Sequence, residues 1–253
     1  MEASLDGSHP VVQRILRLTE KLATSRVPVL IVGEDGSGRE TLARVIHCRG
    51  KMPGRFVALD CRPLGENDAK AHEPLRRALA GSDGEDIGTL FLREVGALPE
   101  ELQHDLAEAL LDNGSKRPLP RVIASTRGEP QRGGQADRLC EALCDALLRV
   151  TLILPPLRER RSDVPGLVQK ILEHRVARGE PPCRVTTEAM VHLWEHDWPG
   201  NVRELKNLID RLAAASRDGL IHAEDLPPSL RRSAPAERRP AISIRPGRLR
   251  FAS

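Results

Sequence analysis

The stretch Val29-Leu-Ile-Val-Gly-Glu-Asp-Gly-Ser-Gly-Arg-Glu-Thr41 places the tightest constraint on this chain. Residues 29–32 are apolar and rich in β-branched side chains, the pattern of a short buried strand. Gly33, Gly36 and Gly38 follow, and then an amphipathic run through Leu42, Ala43, Val45 and Ile46. Strand, glycine loop and helix in that order form the context of a phosphate-binding loop. Glycines let backbone N–H groups turn inward around an anion, and the helix N-terminus adds partial positive charge. The candidate binding residues are therefore Gly33, Glu34, Asp35, Gly36, Ser37, Gly38, Arg39, Glu40 and Thr41. The pattern Gly-x-x-x-x-Gly-Lys-Ser/Thr is met except at its last two places, which hold Arg39 and Glu40, so the usual magnesium-binding hydroxyl is absent there. The competing reading is a glycine-rich turn with no ligand, since glycine also serves plain turns.

Four further apolar runs read as strands: Arg55–Asp60, Gly88–Glu94, Arg121–Thr126 and Val150–Leu154. A helical pattern at residues 10–24 precedes the first strand, and others at residues 73–80, 102–110 and 139–148 lie between the later ones. Strands alternating with helices predict a parallel sheet covered on both faces. The strand over 88–94 ends in Arg93-Glu94. Nucleotide-binding α/β proteins place magnesium-holding and water-activating carboxylates at such a strand end, and here only one carboxylate is present. After Pro155-Pro156 the pattern becomes purely helical, with helices expected over 165–177, 188–195 and 202–215. Residues 1–9 are polar and expected to fray, and Gly-rich loops are expected after Ala80 and over 128–136.

The net charge of +3 is too small to imply nucleic acid by itself. It is uneven, however: from Arg231 to Ser253 there are seven arginines and one glutamate. This Pro/Arg-rich tail has little apolar surface to offset ordering and is expected to be disordered. No secretory or membrane-length apolar run occurs, which predicts a cytoplasmic protein. Cys48, Cys61, Cys140, Cys144 and Cys183 show no Cys-x-x-Cys spacing, so they read as buried, reduced residues, with no metal site.

The chain resembles the central AAA+ domain of bacterial enhancer-binding proteins, the ATPases that activate sigma-54 RNA polymerase. The residues that carry the resemblance are Val32–Glu40, Phe56–Cys61, Gly88–Glu94, Val122–Thr126, Leu154-Pro-Pro-Leu-Arg-Glu-Arg-Arg161 and Asp197-Trp-Pro-Gly-Asn-Val-Arg-Glu-Leu205. The resemblance implies an α/β fold: a P-loop AAA+ core with a parallel sheet flanked by helices over residues 1–156, and a small all-helical lid over 157–228. The basic tail over 229–253 lies beyond it. Nucleotide is implied between core and lid.

The resemblance also implies where this chain departs from its family. The phosphate-binding lysine is Arg39. The magnesium-side aspartate is Arg93, beside the retained catalytic glutamate, Glu94. The asparagine that holds that glutamate is Asp60, and the sensor I asparagine is Arg127. The arginine-finger positions fall at Cys140 and Ala146, and the sigma-contacting loop is missing from the shortened interval 61–88. Arg203, the sensor II arginine, is retained. Hydrolysis is expected to be lost, because phosphoryl transfer depends on positioned positive charge and bound magnesium.

Three guanidiniums, Arg39, Arg93 and Arg127, would suit phosphate oxygens, so the sequence reading is a pseudo-ATPase binding ATP or ADP without magnesium. In the alternative, Arg93 pairs with Asp60 or Glu94 and closes an empty pocket. The expected partner is another protein, an authentic AAA+ activator or a signalling component, in a homo- or hetero-oligomer. Two further readings stay open: nucleic-acid binding through the Arg231–Arg250 tail, and a divergent active ATPase.

Overall fold

In the computed structural model, β1 (Val29–Val32) is buried along its whole length and lies between β4 (Arg121–Thr126) and β5 (Thr151–Ile153). With β2 (Arg55–Asp60) and β3 (Ile87–Arg93) these strands form one parallel sheet in the order β2-β3-β4-β1-β5. The structure describes residues 7–50, 53–65, 69–80, 87–111, 119–128, 139–231, 242–245 and 248–251. The loop expectations for 1–6, 81–86 and 129–136 and the tail expectation for 232–241 lie outside them.

The sheet is covered on two faces because side chains alternate along each strand. Leu30, Leu90, Leu92, Val122 and Ala124 pack in one cluster with Leu102 and Leu106 of α4 (Glu100–Leu111) and Leu143 and Leu147 of α5 (Glu141–Leu147). Phe91, between Leu90 and Leu92, points the other way. It stacks on Phe56 at 6.0 Å, and Arg44 of α2 (Arg39–Gly50) lies 4.4 Å over that second ring. Gln103 is buried but satisfied: it donates to the Leu98 carbonyl at 2.9 Å and accepts the Cys140 N–H at 2.7 Å, which tethers the start of α5. Arg121 is buried too and donates to the Leu22 and Ala23 carbonyls at 2.8 and 3.1 Å, a cation at the C-terminus of α1 (Pro10–Ala23).

Contacts divide the chain into two compact units. The first comprises mainly Arg14–Glu34 and Gly38–Leu154; the second takes in the chain after Leu154, Asp35–Ser37 and the residues around His9. In the second unit α6 (Val164–Ala177), α7 (Thr187–Glu195) and α8 (Asn201–Ala215) surround a core of Val164, Val168, Leu193, Trp198, Leu205 and Ile209. Thr186 caps α7 by accepting the Ala189 N–H at 3.3 Å.

Three elements correct the sequence expectations. The helix predicted from residue 73 begins four residues earlier, as α3 (Ala69–Ala80), and carries Pro74 in its interior rather than in its first turn. The second unit is not purely helical: β6 (Arg184–Val185) and β7 (Leu220–Ile221) pair in parallel, with the Arg184 N–H donating to the Gly219 carbonyl and the Thr186 N–H to that of Ile221. Two-residue strands are too short to show a period of two, so nothing in the sequence distinguished them from loop. In the tail, α9 (Pro228–Arg231) is followed by an antiparallel pair, β8 (Ile242–Arg245) with β9 (Arg248–Phe251). The alternation of Ile242 and Ile244, and of Leu249 and Phe251, with polar residues was a strand signal that the disorder expectation passed over. The cysteine expectation also needs correction: Cys61, Cys140 and Cys144 are buried, but Cys48 is exposed and Cys183 partly so. Among the described residues no helix is long and apolar enough to cross a membrane.

Candidate phosphate-binding site

Because the five strands run parallel, the C-terminal ends of β1, β3 and β4 share one edge of the sheet, the edge at which open α/β sheets hold ligands. The glycine loop leaves that edge from β1, Arg93 and Glu94 close β3, and Arg127 follows β4. Gly33 ends β1 with its N–H on the Thr126 carbonyl at 3.1 Å. Gly36 and Gly38 have φ of 74° and 108°, the left-handed region that glycine enters without penalty. Arg39, Glu40 and Thr41 open α2. Ser37 between the two glycines is fully buried.

The loop's backbone is held from outside. Within the second unit, Asn201 Nδ2 donates to the Asp35 carbonyl at 3.0 Å, and its Oδ1 accepts the Leu157 N–H at 2.8 Å. Gly36 lies so close to Gly200 that a Cβ would sit 2.3 Å from the Gly200 carbonyl oxygen. Gly36→Ala is therefore expected to cost about 1–3 kcal/mol from the backbone conformation alone. The clash adds to that, and a denaturant titration beside wild type measures the sum. An unchanged midpoint would show that the loop can leave this conformation freely.

The charged residues are sorted differently from the sequence expectation. Arg39 Nη2 lies 2.5 Å from Glu94 Oε1, and the two side chains are only 10% and 13% exposed. Arg127 Nε lies 3.8 Å from the other oxygen of Glu94, while Arg127 itself is 58% exposed. Arg93 pairs with Glu40 at 3.5 Å, not with Asp60 or Glu94 as the closed-pocket alternative supposed. Asp60 is taken by Arg62, whose Nε donates to it at 2.9 Å. Hydrogen bonding from Arg62 holds the Asp60 carboxyl below the usual carboxylate range, against the opposing effect of burial. Glu94 adopts left-handed backbone (φ 55°, ψ 55°), a conformation of the kind that non-glycine residues hold at functional sites. Arg203 is exposed on α8 and lines a cleft of about 450 Å³ together with Asp35, Gly200, Asn207 and Arg211.

The geometry of the loop suits a phosphate group. The glycine cradle and the helix start are intact. Glu40 stands where a magnesium-binding hydroxyl is usual, and its oxygens face Arg44 at 2.8 Å and Arg93 at 3.5 Å. A cation within about 4 Å of a guanidinium is opposed by about 4 kcal/mol per unit charge at an effective dielectric near 20. Among the described residues no cluster of three or more His, Cys, Asp or Glu could hold a metal ion.

A parallel sheet with a glycine loop after β1, joined to a mainly helical unit, defines a P-loop α/β protein of AAA+ fold. A sigma-54 interaction domain model matches residues 7–157 and an AAA+ ATPase lid domain model matches residues 158–242. The chain belongs to the sigma-54 interaction domain family. It is 36% identical to the acetoin catabolism regulatory protein of Cupriavidus necator, over 92% of this chain and 38% of that protein. It is 35% identical to the sigma-54-dependent transcriptional activator SfnR of Pseudomonas putida, over 92% of this chain and 69% of SfnR. The chain thus spans well under half of the first relative and about two thirds of the second. Among solved structures, NtrX from Brucella abortus in complex with ADP matches with a TM-score of 0.70 at 26% identity, over 91% of this chain and 56% of that one. The Holliday junction branch migration motor RuvB of Thermotoga maritima shares the fold, with a TM-score of 0.59 at 18% identity over 87% and 67% of the two chains.

The sequence named the loop residues, Arg93, Glu94, Arg127 and Arg203, and Arg39, Arg127 and Glu94 do meet. Asn201 and Arg160 escaped assignment as loop-holding residues. Both lie inside the motifs over residues 154–161 and 197–205, and a polar side chain directly after Trp-Pro-Gly or within Leu-Arg-Glu-Arg was the available signal.

Proposed function

We propose that this protein is a sigma-54-activator-type AAA+ regulator whose loop takes ATP or ADP without magnesium and does not turn it over. The observation that carries the reading is Glu94 held between Arg39 and Arg127. A general base needs an oxygen within reach of the attacking water. Here both carboxylate oxygens face guanidiniums. The residues at the arginine-finger positions, Cys140 and Ala146, are small, uncharged and buried, so neither can reach a neighbour's nucleotide. Loss of such an arginine alone costs about three to five orders of magnitude in rate. NtrX of Brucella abortus, a structural relative, is known in complexes with ADP and with ATP, which supports a nucleotide as the ligand class.

The protein then acts in transcription regulation or signalling through protein contacts, in the cytoplasm. Its partner is an authentic AAA+ activator or a signalling component, met in a homo- or hetero-oligomer. A fluorescent ATP analogue titrated in magnesium and again in EDTA, with phosphate release followed on the same sample, tests the central reading. Binding in EDTA without turnover is the expected result. Magnesium-dependent binding with turnover would overturn it, and no binding in either buffer would leave the loop a structural turn.

A further inference from the structure

Two buried charges near the start of the second unit are not used by the proposed activity. Arg160 and Asp163 are 1% and 2% exposed. Arg160 Nη2 donates to the Ser37 carbonyl at 2.6 Å, across 123 residues of sequence. The Asp163 N–H donates to the Arg160 carbonyl at 2.9 Å, which fixes the two residues in one tight turn. Asp163 Oδ1 then accepts the His9 N–H at 2.8 Å and the Ser8 hydroxyl at 3.2 Å, and Ser8 also lies 3.3 Å from the Ser162 carbonyl. Gly7 is packed onto the same carboxylate, where an added Cβ would sit 2.6 Å from Asp163 Oδ2.

Burying a guanidinium and a carboxylate is costly, and apolar side chains of similar volume often serve a core as well or better. These two charges therefore call for a directional reason, and each has one: Arg160 aims at the loop, Asp163 at residues 8 and 9. Arg160 Nε and Asp163 Oδ2 are buried and make no hydrogen bond among the described residues. The other grip on the loop, Asn201 on the Asp35 carbonyl, runs to the Leu157 N–H instead.

We propose that Arg160 is a positioning residue for the phosphate loop and that, through Asp163, it couples the geometry of Ser37 to the segment around Ser8 and His9. A displacement of that segment is then felt at the loop, and a displacement of the loop is felt at the segment. The coupling rests on the loop's geometry alone and stands whether or not the nucleotide reading does.

Backbone hydrogen exchange on the full chain, followed by mass spectrometry, tests the coupling in both directions. Ser8 is exposed, so Ser8→Ala keeps the fold while removing one hydrogen bond to Asp163. Exchange at residues 35–38 is expected to quicken about fivefold, the population change that one ordinary hydrogen bond carries, and Ser8→Thr is expected to restore it. Arg160→Lys keeps the charge but shortens the reach to Ser37, and it should quicken exchange at residues 9–13 while a denaturant midpoint reports whether the unit is still folded. If Ser8→Ala changes exchange only within residues 8–13, or Arg160→Lys only at the loop, the two ends are not coupled and the proposal fails.

Discussion

Trp198→Ala is expected to lower the unfolding free energy of the second unit by about 3–5 kcal/mol, the range for truncating a fully buried large aromatic. Trp198 is wholly buried in the cluster of Leu193, Leu205 and Ile209. Its indole N–H donates to the Leu193 carbonyl at 2.8 Å, its ring packs edge-on to His196 at 4.7 Å, and its own N–H rests on His196 Nδ1 at 3.1 Å. It also holds a left-handed backbone (φ 50°), which a non-glycine residue keeps only where its surroundings enforce it. Trp198→Phe separates the parts. It keeps most of the volume and removes the donor, at about 1–3 kcal/mol for leaving the Leu193 carbonyl unsatisfied. Chemical denaturation of both variants measures the two terms, and a loss under about 1 kcal/mol for the alanine variant would mean that this core refills the space.

Glu94→Ala should be the other large effect, about 3 kcal/mol, because it removes the carboxylate from a nearly buried guanidinium. Replacing Arg39 by Met together with Glu94→Leu is expected to recover most of that loss, since the nearly buried pair is then apolar and Arg127, largely exposed, stays hydrated. Denaturant midpoints of the single and double variants decide it. A third variant addresses chemistry: Glu94→Gln keeps the shape, and phosphate release is expected to stay at the wild-type level. A wild-type release rate that drops in Glu94→Gln would make Glu94 a working base and sink the inactive reading.

The local elements were legible because each depends on neighbours in sequence. The runs Val29–Val32, Arg55–Asp60 and Arg121–Thr126 read as strands at the bounds the structure shows. The long amphipathic helices, Pro10–Ala23 and Asn201–Ala215, were visible from apolar spacing alone. Segments failed where the local signal was weak or mixed. A helix with Pro74 inside it reads as starting at the proline, and two-residue strands carry no periodicity. The candidate loop was legible for the same local reason, since three glycines between an apolar run and an amphipathic one leave few other structures.

The sequence by itself determined that a glycine loop follows a buried strand, that arginines stand at positions 39, 93 and 127, and that a single carboxylate closes the third strand. These are matters of residue identity and short-range pattern. Only the tertiary structure decided which acids Arg39 and Arg93 meet. Arg39 finds Glu94 55 residues away, Arg93 turns to Glu40, and Asp60 keeps to Arg62. Sheet register sets the first two distances: the parallel pairing of β3 with β4 and of β4 with β1 brings the strand ends to one edge, and a shift of one residue in either would re-sort those two pairs. The same holds for Arg160, whose reach to Ser37 depends on how distant segments pack rather than on any property of its own stretch of chain.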